Sequence, residues 1–91
     1  MSDVDVHDEP SVPTATSVLT YLVRSLVDEP DAVRVKTVHG RRGIKLEVRV
    51  APGDLGRVIG RRGRTAQSIR AVVRAAGARD HRDVDVDFVD G

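Results

Sequence analysis

The stretch Val58-Ile59-Gly60-Arg61-Arg62-Gly63-Arg64-Thr65-Ala66 decides how the rest of the chain is read. Two glycines bracket two arginines, and segments of helical pattern stand on either side. A tight turn between helices needs glycine where the backbone takes a positive φ, and where a Cβ would obstruct anything lying against the chain. The second helix opens near Arg64. Its first N–H groups have no partner inside the helix and sit at the positive end of its dipole. Arg61, Arg62 and Arg64 add three full charges at the same place. Such a turn suits phosphate.

Beyond the turn, residues 64–76 carry Ala66, Ile69, Val72, Val73 and Ala76 at helical spacing, and Gly77 is the expected C-terminal cap. Before it, residues 52–59 form a short helix, with Pro52 and Asp54 at the end where both are tolerated. Gly56 inside that helix costs about 1 kcal/mol relative to alanine; either a ligand or partner approaches closely there, or the glycine merely loosens the helix. Further upstream, Ile44, Leu46, Val48 and Val50 alternate with Lys45, Glu47 and Arg49. In residues 32–38, Val33, Val35 and Thr37 alternate with Arg34 and Lys36. Both read as half-buried strands, and the short link His39-Gly40-Arg41-Arg42-Gly43 makes them an antiparallel hairpin. Residues 14–27 place Ala15, Val18, Leu19, Leu22 and Leu26 on one helical face, with Pro13 and Thr14 at the start and Pro30 forbidding continuation. Val84, Val86 and Phe88 alternate with Asp83, Asp85 and Asp87 as a last strand. The order αββααβ predicts an α+β fold, a three-stranded sheet packed against three helices.

Residues 14–91 form the expected domain. Residues 1–13, rich in Asp, Glu and Pro, hold too little apolar surface to offset their ordering entropy and are expected to be a disordered acidic tail. The chain of 91 residues is long enough for one small core. It has no cysteine, so it has neither disulfides nor thiolate metal ligands. No apolar run is long enough to span a bilayer. The acidic start lacks the character of a secretory signal, and the cytoplasm is the expected location.

The formal net charge of +1 conceals a strong asymmetry. Residues 1–34 hold two Arg against seven Asp and Glu, whereas residues 41–82 hold twelve Arg and Lys against Glu47, Asp54 and Asp80. Residues 83–91 add four Asp. A basic middle between acidic ends suits a polyanion. Abundant arginine alone does not account for the pattern, because codon bias would not concentrate the arginines in one segment.

Several other chemistries fall away. The nucleotide-binding loop spacing that Gly56, Gly60 and Gly63-Arg64-Thr65 faintly suggest would need Gly at 58 and Lys at 64, where the chain has Val58 and Arg64. His7, His39 and His81 have no ligand spacing, so no metal or cofactor is expected. Asp83, Asp85 and Asp87 read as a solvated strand face. No nucleophile, base and acid fall on neighbouring elements, so no catalysis is expected. A second Gly-Arg-Arg-Gly, at Gly40-Arg41-Arg42-Gly43, joins two strands with no helix following it. It reads as a hairpin turn, with Arg41 and Arg42 able to flank a bound strand. Arg70 and Arg74, four residues apart, form either a solvated face or a stripe that tracks a bound strand.

The Ile59-Gly60-Arg61-Arg62-Gly63 loop between two helices resembles the signature of the KH domain, and the element order is similar to its bacterial, type II form. From about residue 14 to 89 the chain looks like the KhpA family of small single-KH bacterial RNA-binding proteins. The runs Leu26-Val27-Asp28-Glu29-Pro30-Asp31 and Asp54-Leu55-Gly56-Arg57-Val58-Ile59-Gly60 share in that likeness; the acidic extension departs from it. The resemblance implies that the loop clamps about four nucleotides of single-stranded RNA by their backbone. Gly60, Arg61, Arg62 and Gly63 would form the clamp, with Arg64 beside it. Val58 and Ile59 would wall the groove, residues 44–50 the opposite side, and Gly56, Arg57, Arg41, Arg42 and Arg70 would flank the strand. It further implies a non-catalytic RNA chaperone or post-transcriptional regulator, acting as a homodimer or as a heterodimer with a larger KH-containing protein. The alternative is an assembly subunit that pairs with another KH protein and binds RNA only secondarily. With only Tyr21 and Phe88 as aromatics, the chain does not match readers that stack bases on an aromatic sheet face.

Overall fold

The alternation in residues 44–50 becomes the centre of the sheet. The computed structural model describes residues 11–90. Strand β2 (Ile44–Val50) lies between β1 (Arg34–His39) and β3 (Val84–Asp90). β1 pairs antiparallel to it, from Arg34 opposite Arg49 to His39 opposite Ile44, so the expected hairpin forms. β3 pairs parallel, Ile44 with Val84 through Val50 with Asp90. Parallel neighbours need a crossover. Here it is supplied by α2 (Leu55–Ile59), a 3₁₀ turn (Arg61–Gly63) and α3 (Arg64–Arg79). α1 (Pro13–Leu26) packs beside α3 on the same face, and a 3₁₀ turn (Pro30–Ala32) leads into β1.

One side of β2 is wholly buried under the helices: Ile44, Leu46, Val48 and Val50 meet Leu19 and Val23 of α1, Val58 of α2 and Val73 of α3 in one cluster. Each such side chain contributes about 1.5–3 kcal/mol on leaving water. The other side carries Lys36, Lys45, Glu47, Arg49, Asp85 and Asp87, with Lys45 opposite Asp85 and Lys36 opposite Glu47. This charged face has no aromatic platform.

Four expectations are corrected. The fold begins before residue 14: α1 starts at Pro13, and Val12 is 2% exposed within the core; residues 1–10 of the expected tail lie outside the described residues. Gly77 does not end α3, which continues to Arg79. A Cβ at Gly77 would stand 2.6 Å from Val84 Cγ2, so this glycine lets helix and strand close together. Val72 is 48% exposed and Leu26 39%, while Val23, unassigned to the α1 core face from the sequence, is fully buried. Finally, the inward side chains of residues 44–50 are all buried beneath the helices and so present no open groove wall; α2 and α3 also lie against β3.

Candidate nucleic-acid interface

The turn after α2 adopts the backbone that its glycines permit. Gly60 has φ 75° and Gly63 φ 73°, with Arg62 between them also left-handed at φ 57°. The Gly60 N–H donates to Gly56 O at 3.0 Å, and the Gly63 N–H to Gly60 O at 3.2 Å. At Gly60 space is closed as well: a Cβ would lie 2.7 Å from Thr65 Cβ and closer to its hydroxyl. Nothing stands within 4 Å of a Cβ built at Gly63, so that glycine answers to φ alone and leaves the surface open.

α3 starts directly from this turn, and no side chain caps its N-terminus. Its leading N–H groups and the positive end of its dipole therefore face the turn. Arg61, Arg62 and Arg64 are exposed there, and none enters an ion pair among the described residues. The arrangement offers three free cations and uncapped N–H groups to an anion.

The neighbouring residues divide. Ile59 is half-buried beside the turn, whereas Val58 is fully buried; it anchors α2 in the core and cannot touch a ligand. Gly56 is exposed with open space where a side chain would be. Arg57 is committed to carboxylates, with Nη2 2.9 Å from Asp28 and Nε 3.4 Å from Asp54. Arg70 donates from Nε to the Val86 carbonyl at 3.2 Å, and its guanidinium lies 5.2 Å from the centre of the Phe88 ring. This pair stands on the β3 side of α3. Arg41 and Arg42 are not part of the turn. They lie beyond the C-terminal end of α3, where the Gly43 backbone packs so closely that a Cβ would sit 2.5 Å from Asp83 O. The second Gly-Arg-Arg-Gly is thus a hairpin turn seated on the α3–β3 loop, with the Ile44 N–H donating to Asp83 O at 2.9 Å.

Two carboxylates whose partners the sequence did not reveal tie the helices into the fold. Asp54, 4% exposed, accepts from the Asp28 N–H at 3.2 Å and the Glu29 N–H at 3.1 Å. It ties the end of the α1 connection to the start of α2, and so sets where α2 delivers the chain into the turn. Asp80, just past α3, accepts from the Thr14 N–H at 3.4 Å and the Ala15 N–H at 3.1 Å. A carboxylate at the C-terminus of α3 is unfavourable, but placed at the N-terminus of α1 it acts as a cap supplied from a distance. Partial desolvation alone would raise its pKa from 3.8; the hydrogen bonds from Ala15 and Thr14 and the nearby His81 outweigh that and lower it. Asp85 is lowered too, by the Val86 N–H first, against desolvation, and by Arg74.

The chain is similar to known proteins along most of its length. The family model described as "KhpA/KhpB, KH domain" matches residues 16–88. The RNA-binding protein KhpA of Streptomyces coelicolor is 56% identical over 73 residues, covering 78% of this chain and 92% of its own. That of Mycobacterium tuberculosis is 53% identical over 70 residues, covering 77% and 84%. That of Caldanaerobacter subterraneus is 46% identical over 68 residues, covering 75% and 91%. With a positive-φ Gly-Arg-Arg-Gly turn at the head of α3, and with these relatives aligned along most of their length, the chain belongs to the KhpA/KhpB family of KH domains.

Proposed function

We propose that this protein binds single-stranded RNA, without catalysis, by clamping the sugar-phosphate backbone at Gly60-Arg61-Arg62-Gly63. The carrying observation is the coincidence at one turn of two positive-φ glycines, three unpaired arginines and the uncapped N-terminus of α3. Curated relatives named RNA-binding protein KhpA support the choice of RNA. Ile59, Gly56 and the Arg70–Phe88 pair border the clamp on its β3 side. Only about four nucleotides fit such a clamp, so one domain binds weakly and with modest sequence preference. Pairing two domains raises apparent affinity through effective concentration without any new contact. The working unit is therefore a dimer, with a second copy or with a larger KH-containing protein, acting as an RNA chaperone or post-transcriptional regulator in the cytoplasm. Tyr21, 72% exposed, with Leu26 and Val72 on the helical layer, offers apolar surface for that pairing.

The test is a pair of charge reversals read on a short RNA of about five nucleotides. Arg61→Asp with Arg62→Asp should abolish binding and leave the melting temperature unchanged, because both side chains are exposed. Each lost phosphate contact flattens the slope of log affinity against log salt by about 0.7. Arg41→Asp with Arg42→Asp makes the same change in net charge at the other Gly-Arg-Arg-Gly and should leave this short strand nearly unaffected. Equal losses would mean that bulk charge, not the helix-flanked turn, binds the RNA.

A further inference from the structure

At the far end of α3 from the clamp lies an open cleft of about 870 Å³, between the hairpin turn at residues 40–43 and the α3–β3 loop. Its existence follows from small residues. Gly40 and Gly43 hold the hairpin turn close against the α3–β3 loop, and Ala78 adds only a methyl to the floor between them. Its rim follows from charge. Arg41, Arg42, Lys45, Arg74 and Arg82 line it, all exposed, against Asp83 and Asp85. Arg74 alone of the five is held by a carboxylate, at 3.1 Å from Asp85; the other four form no ion pair among the described residues. Four free cations gathered round a concave surface repel one another, and a polyanion relieves that repulsion.

The cleft does not stand apart from the clamp. α3 has 16 residues, so its two ends are separated by about 24 Å. Between them, Arg70 and Arg74 lie one turn apart on the side of α3 that faces β3, both fixed by contacts to that strand. A line of cations thus runs from Arg61, Arg62 and Arg64, past Arg70 and Arg74, to the cleft.

We infer that the cleft is a second phosphate-binding site for single-stranded RNA, engaged by the part of a longer strand that leaves the clamp and follows α3. This inference rests on the reading of the chain as a single-strand binder, but it makes a separate claim: affinity must grow with strand length. The distance fits a strand within the span of about 4–16 nucleotides that single-strand binding folds cover.

The experiment compares fluorescence anisotropy on a strand of about five nucleotides with one of about fifteen, across a salt series. Wild type should bind the longer strand at least about tenfold more tightly, with a salt slope steeper by about 0.7 for each added phosphate contact. Arg41→Ser with Arg42→Ser, and independently Lys45→Gln with Arg82→Gln, should lose that gain and the extra slope while keeping wild-type affinity for the short strand. Lys36→Ser with Arg49→Ser, on the outer face of the sheet, removes equal charge and should keep the gain. A wild type that binds both strands equally overturns the second site and leaves the clamp standing. So does a gain that survives both cleft variants, or one that the outer-face variant loses as well. Wild type binding neither strand overturns the clamp and the cleft together. Long-strand binding that survives loss of Arg61 and Arg62 but not of Arg41 and Arg42 overturns the clamp alone.

Discussion

At Gly60 two constraints meet that Gly63 only half shares. Both residues hold φ above 70°, but only Gly60 also has Thr65 in the way of a Cβ. Gly63→Ala should cost about 1–2 kcal/mol from the left-handed backbone alone. Gly60→Ala adds a steric displacement of the first turn of α3 and should cost clearly more, above about 2 kcal/mol, in urea denaturation. A matching loss at the two positions would mean that the Thr65 contact relaxes freely. The glycine spacing was legible because the backbone demand at a turn is local. Asp54 was not. Its partners, the Asp28 and Glu29 N–H groups, lie 26 and 25 residues away, and from the sequence it passed for an ordinary acid at a helix start. Val58 misled for a related reason: adjacency to the turn suggested a groove wall, while the short α2 turns it into the core.

The elements themselves were read well where one face is buried and one is wet. β2 and β3 announce themselves by strict alternation, and α1 by its apolar spacing. What failed were positions decided by a neighbour rather than by period, such as Gly77, emptied to admit Val84, and Val72, apolar yet exposed. The join between α1 and α3 carries its own test. Asp80 has its carboxyl held below 3.8 by the N–H groups of α1, so its cap is present above that value and is lost as pH falls through the lowered one. Asp80→Ala should therefore lower the melting temperature near pH 6, and the gap from wild type should close as pH falls through and below the lowered carboxyl pKa. A gap that is constant with pH would mean that the carboxylate charge plays no part.

For the molecule as a whole, the folded unit reaches at least as far as Val12 among the described residues. Removing residues 1–10 should leave the melting temperature within a degree or two of wild type. Removing residues 1–13 deletes a core side chain and the first helical residue, and should cost about 1–3 kcal/mol, several degrees for a domain of this size. Equal stability of the two truncations would place Val12 outside the cooperative core. The charge asymmetry legible in the sequence survives in three dimensions, but as two basic regions rather than one, because α3 carries them to opposite ends. No local pattern could have revealed that the hairpin arginines face the α3–β3 loop.

The parallel pairing of β3 with β2 has a consequence for the order of events during synthesis. The β1–β2 hairpin can close as soon as it is made. The central strand, however, acquires its second neighbour only when residues 84–90 arrive, and the first turn of α1 waits for a carboxylate 65 residues downstream. Until then a growing polypeptide exposes the apolar side of a two-stranded ribbon, which is marginal in water by itself. Completion of the sheet thus waits for the last strand, and a chain stopped before Val84 should remain a substrate for proteases and chaperones.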